Sequence, residues 1–115
     1  MVVNQLDDAE VDRIFHGLAD ATRRDIVERV LRQEQSVSSL ARRYDMSFAA
    51  VQKHVAVLER AGLVVKQRRG REQVVHGNPE MLRNAARLLE AYERIWRHRV
   101  QSIEDILTEE KGAGK

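Results

Sequence analysis

Residues 38–77 read SSLARRYDMSFAAVQKHVAVLERAGLVVKQRRGREQVVHG. Residues 38–44 form a short amphipathic helical pattern, Asp45 and Met46 interrupt it, and Ser47 opens a second helical pattern that runs to Gly62. The run of residues 64–75 then predicts two strands around a cationic tip. This order is typical of a helix-turn-helix followed by a wing, with which many small proteins read a DNA duplex.

The flanking segments predict two helices before this stretch and one after it. Asp20 is the expected N-cap of the second helix, and Ser38 and Ser47 are the expected N-caps of the third and fourth. We predict that Val37 makes a one-residue bridge to the wing sheet. The first helix is predicted over residues 7–18, and its apolar positions are Val11, Ile14, Phe15 and Leu18. The buried stripe of the second helix is predicted to be Ile26, Val27, Val30 and Leu31.

The last helix is predicted to begin at Pro79, after Asn78 as N-cap, and to end near residue 108. Its apolar positions form two adjoining stripes, a wider apolar face than the core of a small domain requires. We expect the excess to be buried against a second copy of the chain. The sequence therefore predicts an all-α fold with a small β-hairpin wing, in which residues 1–115 form one DNA-binding and dimerisation domain and the two strands separate the fourth and fifth helices.

Composition excludes several classes of function. The chain has 115 residues and no cysteine, so disulfides, thiolate metal sites and cysteine nucleophiles are excluded. No apolar run approaches the roughly 18 residues of a membrane-spanning helix, and residues 1–5 lack a secretory signal pattern. The four histidines are scattered and no glycine-rich phosphate loop is present. We therefore expect a cytoplasmic protein that is not an enzyme and uses no cofactor.

The net charge of +2 hides an uneven distribution. Residues 1–35 carry five Arg and eight acidic residues, whereas residues 36–77 carry eight Lys or Arg and three acidic residues, a net charge of +5. The positive charge thus collects in the segment with the helix-turn-helix pattern, where a phosphate-binding surface needs it. Charge alone fits a solvated face equally well.

The residues expected to contact DNA lie on the second helix of the pair and at the wing tip. Gln52 is the best candidate for reading a base, because its amide can pair bidentately with adenine. Lys53 could reach guanine or a phosphate, and His54 could bond a phosphate or cap nearby backbone. Arginines in a glycine turn can enter the minor groove or bind phosphates. The full predicted set is Ser47, Phe48, Ala49, Ala50, Gln52, Lys53 and His54 with Arg68, Arg69 and Arg71.

Several stretches resemble the ArsR/SmtB family of winged-helix repressors. The resemblance is carried by LADATRRDIV at 18–27, VSSLA at 37–41, VQKHVAVL at 51–58 and AGLV at 61–64, and by Met46 with Ser47. Within this family, the sequence resembles the branch often associated with SRPBCC-type proteins at Phe15, at Gly70 with Arg71, and at Trp96. The resemblance implies a homodimer, paired through the first and last helices, that represses transcription from an inverted-repeat operator. The residues expected at that interface are Val11, Phe15, Leu89, Tyr92, Trp96, Val100 and Ile103.

The chain departs from this family at its sensor positions. The best-known metal site of the family is a cysteine pair in the helix before the turn, and residues 38–44 contain no cysteine. The other usual site needs an Asp and several His along the last helix, where this chain has only His98 with Glu90, Glu93 and Glu104 nearby. We therefore expect the branch of the family that lacks a metal site, and the sequence points to no small-molecule effector.

Two other functions fit the same residues. A winged helix can serve as a protein–protein interaction module, or it can bind nucleic acid without sequence preference. Tyr92 and Trp96 could also line a small-molecule pocket at the dimer seam. A gel shift at physiological salt separates the main alternatives, because a regulator keeps a preference among duplexes and an interaction module shows none.

Overall fold

Five helices and three short strands follow each other in the computed structural model, which describes residues 6–113, with side chains up to residue 110. The predicted winged helix-turn-helix is confirmed: the third and fourth helices form the helix pair, and the second and third strands form the wing. The elements are α1 (Asp8–Leu18), α2 (Ala21–Arg32), β1 (Gln35–Ser36), α3 (Val37–Ala41), α4 (Phe48–Arg60), β2 (Val64–Arg69), β3 (Glu72–Gly77) and α5 (Pro79–Ala113).

Side-chain caps fix where the helices begin. The Asp7 carboxylate accepts from the backbone N–H of Glu10 at 2.8 Å, and the Glu10 carboxylate accepts from the N–H of Asp7 at 3.0 Å, which completes a capping box. Asp20 caps α2 through the N–H of Arg23, and Ser47 caps α4 through the N–H of Ala50. Both of these predicted N-caps are confirmed.

The start of α3 differs from the prediction. Ser36, not Ser38, is its N-cap and accepts from the N–H of Ser39 at 3.0 Å, and the helix ends at Ala41. The bridge to the wing sheet lies at Gln35–Ser36 and not at Val37. The reason is that Ser36 has extended backbone, which serves both a strand and an N-cap. Val37 is then the first helical residue, and its side chain is buried in the core.

The sheet has the strand order β1-β3-β2, with both pairs antiparallel, so it has one strand more than the predicted hairpin. Val64 pairs with Gly77 and Arg69 with Glu72, which places Gly70 at the turn with φ +62°. Glycine suits this left-handed conformation because it has no Cβ. The cationic tip therefore projects from the end of a short, regular hairpin.

One core joins the helix pair to the wing. It is formed by buried aliphatic side chains from α1, α2, α3, α4 and both wing strands: Ile14, Ile26, Leu40, Val51, Leu58, Leu63, Val64 and Val75. The prediction that Leu31 is buried is wrong, because 42% of it is exposed. Leu31 instead covers Gly77 at the end of β3, so closely that a Cβ there would lie 2.5 Å from its Cδ2.

The last helix begins at Pro79 as predicted but extends to Ala113 instead of ending near residue 108. Residues 109–111 are good helix formers, and no glycine or proline interrupts the helix before Gly112. Ala85 and Leu88 are buried, but no side chain from 89 to 110 is. The radius of gyration is 20.6 Å, against roughly 13 Å for a compact chain of this length. The outer part of α5 therefore projects from the body.

Candidate nucleic-acid interface

The helix α4 has one buried face and one exposed face. Val51, Val55 and Leu58 are at most 1% exposed and fix the helix on the core. Ser47, Phe48, Ala49, Gln52 and Lys53 are exposed, and Ala50 is half-buried. The first turn of α4 thus presents most of the predicted base-reading residues together. None of these side chains forms an ion pair within residues 6–110, so Lys53 keeps its charge available.

His54 lies apart from this exposed group. Its Nδ1 is 3.2 Å from Nη1 of Arg23 and 4.0 Å from Oδ2 of Asp20, both at the start of α2. The hydrogen bond from the Arg23 backbone N–H lowers the pKa of Asp20, and the charge of the Arg23 guanidinium acts in the same direction. Sequence reasoning missed Arg23, although Asp20 followed three residues later by a long cationic side chain was a signal at this helix start.

The wing tip brings Arg68, Arg69 and Arg71 together, but their surroundings differ. Nε of Arg68 donates to the carbonyl of Gly70 at 3.2 Å, so this side chain folds back on its own turn. Arg71 is exposed and makes no ion pair with any residue that the structure describes. It is the wing arginine whose charge is most available to a ligand.

Arg69 belongs to a polar network on the outer face of the sheet. Its Nη1 lies 2.8 Å from Oε2 of Glu34, and its Nη2 donates to Oε1 of Gln67 at 3.4 Å. His76 contacts both partners, with Nδ1 3.5 Å from Oε2 of Glu34 and Nε2 3.2 Å from Oε1 of Gln67. Sequence reasoning missed Glu34, which lies far from the wing along the chain.

The C-terminal end of α4 is tied to the start of α5. Gly62 follows the helix with φ +76°, the conformation expected for a helix-ending glycine. Its carbonyl accepts from Nδ2 of Asn78 at 2.8 Å, and the Asn78 N–H donates to the carbonyl of Leu63 at 2.9 Å. The position of α4 is therefore linked directly to the first residues of α5.

A second polar cluster connects α2 to the turn after α3. The Tyr44 hydroxyl and Nε of Arg29 both donate to Oδ2 of Asp25, and the Arg29 guanidinium lies 6.0 Å from the centre of the Tyr44 ring. The hydrogen bond from Tyr44 lowers the pKa of Asp25, with Arg29 as the second cause. Burial, together with the bond to Asp25, raises the pKa of Tyr44 to about 12.

The turn between α3 and α4 needs no left-handed residue. Within residues 6–113, every residue with positive φ is a glycine, so Asp45 keeps an ordinary backbone conformation. No group of three or more His, Asp or Glu side chains in this range is placed to hold a metal ion. No helix of the described part of the chain is long and apolar enough to cross a membrane.

The residues predicted for the dimer interface lie on exposed parts of α1 and α5. Phe15 is 39% exposed on α1, and Val11 is half-buried. On α5, Tyr92 and Trp96 are about six-tenths exposed, Leu89 and Ile103 about half, and Val100 is half-buried. These large apolar groups follow one side of the projecting part of α5.

A recognition-type helix with an exposed first turn, beside a cationic wing, defines the class of winged helix-turn-helix DNA-binding proteins. Residues 18–67 match the family model described as a helix-turn-helix domain. The chain is 41% identical over 80 residues to an uncharacterised HTH-type transcriptional regulator of Bacillus subtilis (strain 168), YuzN, which covers 64% of this chain and 87% of that protein. A relative of known structure that is 37% identical and is covered over 92% of its length is an ArsR-like regulator, so the chain belongs to the ArsR family of transcriptional regulators, which are not enzymes.

Solved structures agree with this assignment. An ArsR-like transcriptional regulator from Rhodococcus sp. RHA1 is 37% identical, with a TM-score of 0.76 over 85% of this chain and 92% of that chain. The homodimeric winged helix-turn-helix DNA-binding domain of a possible ArsR-family regulator from Mycobacterium bovis has a TM-score of 0.62 over 81% of this chain and 91% of that one. At 22% identity, this second likeness concerns the fold.

Proposed function

We propose that the chain is a cytoplasmic homodimeric repressor of the branch without a metal site, and that it occupies an inverted-repeat operator. Residues 1–115 form one DNA-binding and dimerisation domain in this proposal. The observation that carries it is the combination of an exposed first turn of α4 with an unpartnered apolar face on α5. Two copies joined through that face offer two recognition helices to one duplex, and the bound dimer excludes other proteins from the promoter.

In the proposed complex the first turn of α4 enters the major groove. Gln52 pairs with an adenine edge, Phe48 and the alanines at 49 and 50 contact thymine methyl groups, and Lys53 binds guanine or phosphate. The Ser47 hydroxyl is committed to its own helix as N-cap, so it orients the first turn. The wing arginines Arg68, Arg69 and Arg71 bind phosphates or the adjacent minor groove.

The exposed apolar face of α5 supports the dimer. Large apolar groups on one side of a projecting helix are rarely left in water, so they mark an interface. From Leu89 to Leu107 the stripe follows spacings of 3, 4, 4, 3 and 4 residues, which fit an eleven-residue repeat that stays on one side of a nearly straight helix. The members of the stripe are Leu89, Tyr92, Trp96, Val100, Ile103 and Leu107.

A second helix laid along this stripe would bury the outer part of α5, and the half-buried Val11 and the exposed Phe15 of α1 would extend the contact. The Mycobacterium bovis domain of the same fold is homodimeric, which supports this arrangement. In this assembly the two α4 helices face the same side of the duplex. Half-sites about one helical turn apart, roughly 34 Å, are then expected.

The decisive experiment combines selection of bound duplexes from a random pool with footprinting and analytical ultracentrifugation. We expect a selected motif with dyad symmetry and a mass of about twice the 13.3 kDa of one chain. A monomer at micromolar concentration would contradict the dimer, and a footprint without dyad symmetry would contradict the operator. Binding that is equal for all duplexes at physiological salt would favour a non-specific nucleic-acid binder, and no binding would favour an interaction module.

A matched pair of variants tests the proposed interface. Trp96→Glu places a charge in the apolar stripe, so we expect a monomer with operator affinity reduced more than about tenfold, because both half-sites are no longer bound together. His98→Glu introduces the same charge on the other side of α5 and should remain dimeric. Equal behaviour of the two variants would argue against the stripe as the interface.

A further inference from the structure

Arg23 uses all three guanidinium nitrogens on different parts of the protein. Nε donates to the carbonyl of Gly17 at 2.9 Å, and Nη2 donates to the carbonyl of His16 at 2.9 Å. Nη1 lies 3.2 Å from Nδ1 of His54 on α4. One side chain at the start of α2 therefore joins the end of α1 to the middle of the recognition helix.

The chemistry of these groups assigns their roles. A guanidinium can only donate hydrogen bonds, so Nδ1 of His54 has to be the unprotonated acceptor nitrogen. The last carbonyls of a helix lack intrahelical partners, and Arg23 supplies donors to two of them. The rigid fork of arginine can reach three acceptors at once, whereas a lysine ammonium on a flexible stem cannot hold the same geometry.

Asp20 completes the cluster near the same ring nitrogen of His54. It caps α2 by accepting from the Arg23 backbone N–H at 3.0 Å, and its carboxylate lies 4.0 Å from His54. The His54 side chain is only 22% exposed as a result. These contacts direct the ring towards α2 and not towards the exposed face that carries Gln52 and Lys53. His54 is thus placed to hold α4, not to touch a base.

We propose that Arg23 and His54 are positioning residues that fix the angle between α1 and the recognition helix, and thereby the spacing of the two half-sites that the dimer accepts. This inference rests on the proposed homodimer, in which the exposed Phe15 of α1 faces the partner copy. The same α1 ends in the carbonyls that Arg23 binds. Its fork is therefore a direct mechanical link between the dimer interface and the DNA-reading helix.

The expected displacement of the first turn of α4 follows from its distance to His54. Ser47 lies about 10 Å along the helix axis from His54. A tilt of roughly 20° at His54 moves the first turn of α4 by about 3 Å, close to one base-pair step of 3.4 Å. The hydrogen bond from Asn78 to Gly62 lies at the C-terminal end of α4, and the core contacts of Val51 and Val55 are non-directional, so neither fixes that tilt by itself. Loss of the Arg23 link should therefore relax the choice of spacing.

The test measures binding to duplexes that carry the selected half-sites at the preferred spacing or with one or two base pairs added or removed. Arg23→Lys keeps the charge and loses the fork. His54→Leu removes the acceptor, and His54→Asn returns an acceptor near the position of Nδ1. Arg24→Lys is the matched control, because Nη1 of Arg24 donates to the carbonyl of Leu18 on α1, and no hydrogen bond or ion pair joins Arg24 to α4 within the described residues.

We expect the wild type, Arg24→Lys and His54→Asn to prefer one spacing. Arg23→Lys and His54→Leu should bind that duplex about tenfold more weakly, the scale of one lost hydrogen bond to a charged group, and should bind the altered spacings almost as well as before. The mass and the affinity for random duplex of these two variants should not change. A variant that was merely misfolded would lose one or both. His54→Leu carries the test alone if Arg23→Lys fails to fold.

The outcomes separate this inference from the proposed function. A dimeric wild type with a spacing preference that Arg23→Lys and His54→Leu retain overturns the inference alone. A His54→Asn variant as relaxed as His54→Leu also overturns it, because the acceptor would then not matter. A wild-type protein that is monomeric, or indifferent to spacing, overturns the proposed function and the inference with it.

Discussion

The guanidinium of Arg69 lies 2.8 Å from Oε2 of Glu34, so one of the three wing arginines is already paired within the free protein. Both side chains are about half exposed, and a DNA phosphate can compete for the guanidinium. Binding of the wing to DNA then requires either that Arg69 leaves Glu34 or that the carboxylate stays close to the phosphates. In both cases Glu34 opposes DNA binding.

Replacing Glu34 by glutamine should therefore strengthen binding to every duplex. The expected gain is about two- to fivefold, since an exposed ion pair contributes at most about 1 kcal/mol. Fluorescence anisotropy with cognate and random duplexes measures it. Glu72→Gln is the matched control, because it removes the same charge from the wing but frees no arginine. A gain in the control as large as that in Glu34→Gln would show that net charge, not the pair, is responsible.

Arg71→Ala and Arg69→Ala should each weaken binding to cognate and random duplexes by a similar factor. Each removes a phosphate-binding cation, which lowers the slope of log affinity against log salt by about 0.9 for each lost contact. A salt titration gives that slope. Arg94→Ala, on the projecting part of α5, removes one positive charge away from the wing and should leave the slope unchanged. A loss confined to the cognate duplex would contradict the assignment of the wing to phosphates.

Gln52→Ala should relax sequence preference. Loss of a bidentate contact with adenine costs about 1–3 kcal/mol at the cognate site, and the affinity for random duplex should stay nearly constant. A competition assay with single-base variants of the operator identifies the position that loses discrimination. If all positions keep their discrimination, the exposed amide of Gln52 does not read a base.

The parts of the fold that could be predicted from sequence are those that depend on neighbouring residues. The Ser47 cap and the helix-ending Gly62 are local in the chain, and the apolar spacing of Val51, Val55 and Leu58 was sufficient to divide α4 into a buried and an exposed face. The cap at Ser36 was missed because it depends on β1, whose strand partner lies in the wing, far along the chain. Such pairings leave no local pattern.

Residues for the candidate site could be proposed from the sequence, but the contacts between them could not be predicted. Glu34 and Arg69 are distant in sequence, as are Arg23 and His54, and no periodicity connects them. The end of α5 was misplaced for a different reason. No side chain from residue 89 to residue 110 is buried, so core packing does not mark where α5 ends. Intrinsic helix propensity is then the only local guide to the length of α5, and it marks no sharp end.

Asp25 and Tyr44 should make the stability of the protein depend on pH in acid. The pKa of Asp25 is lowered in the folded protein from its ordinary 3.8, so its contribution to the free energy of unfolding is present above that value. It is lost as the pH falls from 3.8 through the lower pKa of the folded state. Urea denaturation at pH 7 and below pH 4 should show a smaller acid loss for Asp25→Asn and Tyr44→Phe than for wild type.

The same pair can be tested by a double-mutant cycle at pH 7. We expect a coupling of about 1 kcal/mol, at the low end for a hydrogen bond to a charged group because Asp25 is partly exposed. Asp12→Asn, an exposed carboxylate on α1 without an ion pair among the described residues, is the control and should not alter the acid loss. Additive effects of Asp25→Asn and Tyr44→Phe would contradict an energetic link between α2 and the turn.

Gly62→Ala and Gly70→Ala should destabilise the protein to different extents. Both glycines have positive φ, which costs an alanine about 1–2 kcal/mol. At Gly70 an added Cβ meets nothing within 4 Å, so we expect only this backbone cost. At Gly62 the Cβ would lie 2.9 Å from Cε of Met81, so the end of the Met81 side chain has to move aside as well, at a small additional cost. Urea denaturation should therefore give a larger loss of unfolding free energy for Gly62→Ala.

The Met81→Ala background removes the close contact. In that background, the loss of unfolding free energy caused by Gly62→Ala should fall to the loss caused by Gly70→Ala. An equal loss for the two single variants would show that backbone strain alone accounts for both.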